Sequence, residues 1–180
     1  TVICDFRKND LKNGGNGAPL TPIFHKLLKR KFGISDVTFV NIGGIVNTTT
    51  ISDEAMSGTD VGPGMCLIDR WLRSKLKKKY DKDGEIAKSG KICTTSLNLL
   101  LKNFYEKEYS LSKGIIKSFD TRDFDYSLIE NLSIEDGAAT LTQFTADLII
   151  SFLKKSDFHK GNIILCGGGR KNNFLINKLK

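Results

Sequence analysis

The chain has 180 residues, of which 39% are hydrophobic and 27% charged, a balance that fits one folded core, or two small lobes sharing one, and excludes a disordered or membrane-embedded class. No apolar run approaches the ~18 residues that cross a bilayer; the longest, Leu148 to Leu153, is interrupted by Ser151. Lys plus Arg outnumbers Asp plus Glu by 28 to 20, but the excess is scattered lysine, and the densest group, Arg73, Lys75, Lys77, Lys78 and Lys79, falls at the end of an expected helix, where the dipole favours cations.

Val2–Phe6 reads as a short buried strand, and the run Asn13-Gly14-Gly15-Asn16-Gly17 as a polar loop. Pro19 and Pro22 suit a helix start, with Ile23, Phe24, Leu27 and Leu28 as its apolar face and Phe32-Gly33 as its end. Val37–Ile42 and Ile45–Ile51 form an expected hairpin around Gly43-Gly44. Gly58–Gly64 reads as a connection into an amphipathic helix carrying Met65, Ile68, Trp71, Leu72 and Leu76. Helical pieces follow near Glu85–Ser89 and Thr95–Phe104, then a polar stretch from Lys117 to Asp125. Ser133 is a candidate N-cap for a long helix with Ala138, Leu141, Phe144, Leu148 and Phe152 on one face. Asn162–Cys166 is an expected buried strand, Gly167-Gly168-Gly169 a tight turn, and Asn172 a helix start. Strands, helices and a closing strand–glycine–helix unit make an α/β arrangement. The strands Val2–Phe6, Val37–Ile42, Ile45–Ile51 and Ile163–Cys166 are expected to share one sheet.

Cys4, Cys66, Cys93 and Cys166 include no CxxC pair, and His25 and His159 are the only histidines, so no zinc constellation can be assembled at a known spacing. The cysteines read as reduced, buried thiols of a cytoplasmic protein, and His25 as a packing or capping residue. No zinc finger, RNP motif or basic-aromatic alternation supports a nucleic-acid partner, and no segment supports a membrane partner.

Three glycine clusters carry the chemical signal: Gly43-Gly44, Gly62-Pro63-Gly64 and Gly167-Gly168-Gly169. Glycine lets backbone approach an anion without a Cβ between, and two of the clusters precede helices, whose N-termini favour phosphate. None matches GxxxxGK[ST] or GxGxxG with a placed acid, which disfavours a P-loop or Rossmann site. Asp60, two residues before Gly62, is the candidate general base; capping the next helix is the competing duty.

The stretch Asp5-Phe6-Arg7, Asp10 and Gly14-Gly15-Asn16-Gly17-Ala18-Pro19-Leu20 resembles the DFR…D…GGQGAPL segment of the anhydro-N-acetylmuramic acid kinase family. Asn41–Asn47 is similar to that family's NIGGIAN, Thr59–Gly64 to its FDTGPGN, Leu67, Asp69 and Trp71 to its LLDAW helix, and Tyr80–Gly84 to its YDxDG. Lys117-Ser118 with Asp123-Phe124 is similar to its PKS…F region, and Cys166–Gly169 with Asn172 to its CGGGxxN. The motifs follow the family's order along essentially the whole chain.

The resemblance implies an actin/hexokinase-like (ribonuclease H-like) ATPase lobe with a mixed sheet and flanking helices. Residues 1–180 would be the central and C-terminal part of a two-lobed sugar kinase, with no internal boundary. It implies an enzyme that opens 1,6-anhydro-N-acetylmuramic acid with water and moves the ATP γ-phosphate to O6, in cell-wall recycling. Asp60 then matches the catalytic base. Gly43, Gly44, Asn47, Gly62, Gly64, Gly167, Gly168, Gly169 and Asn172 match nucleotide-binding positions. Arg7, Asp10, Gly14, Gly15, Asn16 and Gly17 match sugar-side positions. ATP and Mg²⁺ are the implied cofactors, the sugar and ATP the implied partners, with a homodimer left open, and Mg²⁺ would lean on phosphates and water more than on protein ligands. The family's GTSxDGxD loop and HGQT segment are absent here, Asn16 stands for Gln, and Met65 for Asn. The chain therefore reads as part of a longer protein, expected to fold alone but to bind ATP weakly and lack turnover; an inactive nucleotide- or sugar-binding lobe is the alternative.

Overall fold

Val37–Ile42 (β1) and Ile45–Ile51 (β2) are rich in β-branched residues, and a turn through Gly43 and Gly44 folds them into an antiparallel hairpin with Ile42 opposite Val46 and Asn41 opposite Asn47. In the computed structural model, which describes residues 4–14, 17, 20–112, 118–155 and 161–180, two further strands complete the sheet. Met56–Pro63 (β3) pairs antiparallel with β2, and Asn162–Cys166 (β4) pairs parallel with β1, giving the order β3-β2-β1-β4. The result is a mixed α/β sheet with helices on both faces.

Alternation along β1 and β2 sends Val40, Ile42 and Val46 to one face and Val37, Phe39 and Ile51 to the other. The first face carries the main core. Against it pack Ile68, Trp71 and Leu72 of Cys66–Leu76 (α3), together with Leu141, Phe144 and Leu148 of Ile134–Lys155 (α6), all buried as the periodicity implied. Ser133 caps α6, its Oγ accepting the Asp136 N–H at 3.1 Å. Trp71 is fully buried and donates its indole N–H to the Ile134 carbonyl at 2.9 Å. Glu85–Ser89 (α4), Thr94–Ser112 (α5) and Asn173–Leu179 (α7) complete this layer. The opposite face holds a smaller cluster covered by Pro22–Phe32 (α2), where His25 stacks on Phe39 with ring centroids 4.3 Å apart. His25 is therefore a packing residue, and burial lowers its pKa.

Several expectations change. Of the expected strand Val2–Phe6, residues 2 and 3 lie outside the described residues, and Phe6 opens a helix instead, Phe6–Lys12 (α1). Asp5 sits at φ 62° and turns the chain, its carbonyl accepting the Lys8 N–H at 3.0 Å. Cys4 is exposed and outside any strand, and only Cys66 of the four thiols is buried. The expected connection at Gly58–Gly64 is mostly strand β3. Glycine, Asp and Pro argue against a strand in isolation, but β3 is an edge strand, where the missing N–H of Pro63 breaks no ladder. The apolar face expected on α2 is largely outward: Ile23, Phe24 and Leu27 are exposed, because the helix docks through His25 and Leu28. The helical piece expected at Thr95–Phe104 is longer than its periodicity suggested, running from Thr94 to Ser112.

Candidate active site

The register of the sheet sets the site. Asn41 lies opposite Asn47, and Asn47 opposite Asp60, so one row across three strands carries two amides and a carboxylate beside the Gly43-Gly44 turn. A bulge follows at once: Val46 pairs with Gly62 and Asn47 with Asp60, leaving Val61 unpaired. Asp60 is thus a strand residue re-aimed by a bulge, and does not lie in the connection expected for it. It does not cap α3 either. Its Oδ2 accepts the Phe119 N–H at 2.9 Å, and the residue is 8% exposed. Burial raises its pKa, while the Phe119 hydrogen bond and the nearby Arg7 charge pull it back down. A small cavity of about 260 Å³ opens beside it, walled by Phe104, Tyr105 and Phe152.

Arg7 brings the sugar-side residues to this end of the sheet. A Cβ on Gly17 would lie 3.2 Å from the Arg7 Cβ, and the Gly17 N–H donates to Asp10 Oδ2 at 2.7 Å. Gly14 and Gly17 have φ of 82° and 65°, which explains glycine at both positions. Gly15 and Asn16 lie outside the described residues, as do Lys117 and His159.

Five of the nine residues expected on the nucleotide side, Gly43, Gly44, Gly168, Gly169 and Asn172, line a separate cavity of about 500 Å³, whereas Asn47, Gly62, Gly64 and Gly167 do not line it. The glycines divide into two kinds. A Cβ on Gly64 would sit 2.4 Å from the Gly43 carbonyl oxygen, one on Gly167 2.6 Å from that of Ile42, and one on Gly169 2.3 Å from the Ile42 Cγ2. Gly62 would meet Leu148 and Phe104 at 3.0 Å. Those four are demanded by internal packing. Gly43, Gly44 and Gly168 are different: none has a left-handed φ, and a Cβ there meets nothing closer than 3.4 Å. Internal packing does not demand glycine at these three positions, and all three line the cavity.

The N-terminus of α3 is not open to an anion. The N–H groups of Gly64 and Cys66 donate to the Gly44 carbonyl, and that of Met65 to the Gly43 carbonyl, tying α3 to the hairpin. Asn172 caps α7, its Oδ1 accepting the Leu175 N–H at 2.9 Å, while its buried Nδ2 has no partner. Asn47 Oδ1 is likewise buried and unpartnered. Lys82 and Lys171 supply positive charge on the cavity wall. Asp81 of the YDKDG run is structural: its carboxylate accepts the N–H groups of Ile86 and Ala87 at 3.0 and 2.9 Å. Asp83, also on the wall, is held at φ 57°, a strained backbone of the kind that collects at binding sites.

Sequence reasoning passed over Asp69 as a site residue. It lines the same cavity, and burial pushes its carboxyl up to about 6, with Arg73 lowering it and Asp81 raising it. Met65, four residues earlier and so on the same helix face, lines the same cavity, a spacing that the helix's apolar stripe masked. Among the described residues no group of three or more His, Cys, Asp or Glu could hold a metal ion, and no helix is long and apolar enough to cross a membrane.

The family model of anhydro-N-acetylmuramic acid kinase matches residues 1–180. The chain belongs to the anhydro-N-acetylmuramic acid kinase family. Curated relatives of that name include one from Pelagibacter ubique, 42% identical over 99% of this chain and 49% of its own length. Another from Rhizobium johnstonii is 39% identical over 98% of this chain and 47% of its own length. A third, from Caulobacter vibrioides, is 36% identical over 99% and 47%. The chain therefore spans about half the length of the curated kinases it matches. The Gly43-Gly44 turn, which lines the larger cavity, and the Asn41–Asn47–Asp60 row adjoin each other in this family member.

Proposed function

We propose that this chain contributes the nucleotide cavity and the catalytic carboxylate of an anhydro-N-acetylmuramic acid kinase with an actin/hexokinase-like fold. The carrying observation is the Gly43-Gly44 hairpin. It stands between a cavity of about 500 Å³, whose open glycines ask for an external ligand, and the strand row that ends in Asp60.

In this reading Asp60 takes the proton of a water that attacks the anomeric carbon, the bond from that carbon to O6 breaks, and O6 accepts the γ-phosphoryl group. Desolvation suits Asp60 to the task, since a carboxylate whose pKa is raised is a stronger base. Arg7 offsets part of that rise and stands where a sugar oxygen can meet it, with the Asp10–Gly17 bond holding the adjoining loop. Gly43 and Gly44 admit the phosphates to close backbone contact, and Gly168, Gly169 and Asn172 border the nucleoside. ATP supplies the phosphoryl group, and Mg²⁺ is carried on its phosphates and water. The partners are the sugar and ATP, and the setting is cytoplasmic recycling of cell-wall amino sugar.

The test is a product assay on the full natural polypeptide. Anhydro-N-acetylmuramic acid and ATP should give N-acetylmuramic acid 6-phosphate and ADP in equal amounts. ATP hydrolysis with no dependence on the sugar would refute the reading.

A further inference from the structure

The cavity beside the Gly43-Gly44 hairpin contains a carboxyl group that the protein leaves without a donor. Asp69 lies on α3, and its Oδ1 is closed to solvent with no hydrogen-bond partner. Two arginines on the same helix stand nearby; the Arg73 charge favours the ionised carboxylate, but neither arginine donates a hydrogen bond to it. Arg70 donates to the carbonyls of Thr121 and Phe124 at 3.0 and 2.9 Å, and Arg73 reaches the Lys79 carbonyl at 3.4 Å. An unpartnered carboxylate in a half-buried setting is costly to a fold that gains nothing from it.

Its position along the cavity identifies the missing donor. The Met65 N–H donates to the Gly43 carbonyl at 2.8 Å, and the Asp69 N–H to the Met65 carbonyl at 2.8 Å. Asp69 therefore lies one helical turn, about 5.4 Å along the axis, beyond Met65, the residue bonded to the hairpin. If the phosphates rest on Gly43 and Gly44, the group one step further into the cavity is the sugar of the nucleotide. Ribose presents hydroxyl donors there, and a carboxylate is an acceptor with no donor of its own.

We propose that Asp69 is the ribose-binding residue of this cavity, its carboxylate accepting a hydrogen bond from a ribose hydroxyl of the bound nucleotide. The inference rests on the nucleotide reading given above and adds a residue and a specificity to it. The competing duty of an acid near the start of a helix is to complement the dipole, which would make Asp69 a stabiliser of the free protein.

Calorimetric titration of the full natural polypeptide with ATP, 2′-deoxy-ATP and 3′-deoxy-ATP, before and after Asp69→Asn, separates these. A hydrogen bond to a charged acceptor should make ATP bind about 10–100-fold tighter than at least one deoxy analogue. Asp69→Asn should bring the affinities together without lowering the melting temperature of the free protein. Tight ATP binding with no preference over either analogue overturns the ribose assignment and leaves the nucleotide reading standing. So does a preference that survives Asp69→Asn, or a variant that loses discrimination between ATP and GTP in place of that between ribose and deoxyribose. Absence of ATP binding to the parent protein overturns both. The parent's own preference among the three nucleotides is measured independently of how the variant folds.

Discussion

Replacing Asp60 with Asn separates the chemistry of this residue from its place in the sheet. The amide has nearly the same shape, and its oxygen can still accept the Phe119 N–H that now lies 2.9 Å from Oδ2. Burial raises the Asp60 pKa above the ordinary 3.8, and a raised folded pKa means that ionisation costs the folded state. Stability from this group is fully present below pH 3.8 and is lost as pH rises through the folded value. An amide never ionises, so at pH 7 the variant should melt at or slightly above the parent temperature. Activity should move the opposite way. A general base contributes roughly 10²–10⁴-fold to rate, which is ~2.7–5.5 kcal/mol of barrier at 1.36 kcal/mol per tenfold. The parent's rate should fall on the acid side as Asp60 protonates, and the residual rate of the variant should lack that limb. Phosphorylated-sugar formation measured from pH 4 to 8, with thermal melts at the same pH values, tests both arms. Near-parental kcat in Asp60→Asn would remove the general-base role, and a large drop in melting temperature would show that the carboxylate is held for the fold.

The two kinds of glycine should respond differently. Gly43→Ala and Gly168→Ala should weaken ATP binding in a titration while leaving the melt almost unchanged, since a Cβ there meets nothing closer than 3.4 Å. Gly169→Ala should lower stability by about 1–3 kcal/mol, because its Cβ would lie 2.3 Å from the Ile42 Cγ2. Gly137→Ala should also destabilise in denaturant titration: its Cβ would meet the buried Trp71 ring at 2.6 Å, and overpacking of this kind outweighs the ~1 kcal/mol that alanine gains as a helix former. Asp69→Asn should raise stability at pH 8 but not at pH 4. The carboxyl titrates at about 6 when folded against 3.8 unfolded, so its ionisation penalty builds between those values. Half-exposure screens that penalty to roughly 1 kcal/mol, or about 2–4 °C in melting temperature. A lower melt at pH 8 would contradict this.

Much of this protein was determined within single segments of sequence. The β1–β2 hairpin was legible because β-branched runs flank a glycine pair, and α3 and α6 because their apolar residues recur at helical spacing around Trp71 and Phe144. The ordered motifs Asn41–Asn47, Thr59–Gly64 and Cys166–Gly169 sufficed to indicate the family. The tertiary structure decided what depends on partners distant in sequence. Strand β3 exists because β2 offers an unpaired edge, which outweighs the poor strand propensity of Gly58, Asp60 and Pro63. Its pairing moved Asp60 from an expected loop into a row with Asn41 and Asn47, a neighbourhood that no local window contains. Which glycines the packing demands was equally hidden: Gly168 and Gly169 are adjacent and identical in sequence, yet a Cβ on one meets open space and on the other the Ile42 side chain. Asp69 passed as an ordinary polar position of an amphipathic helix until the fold directed Arg70 and Arg73 elsewhere and left its carboxyl on the cavity wall without a donor. Periodicity reports how a segment meets its nearest layer, whereas a site is assembled from several layers, and their relative placement is set by long-range pairing and packing.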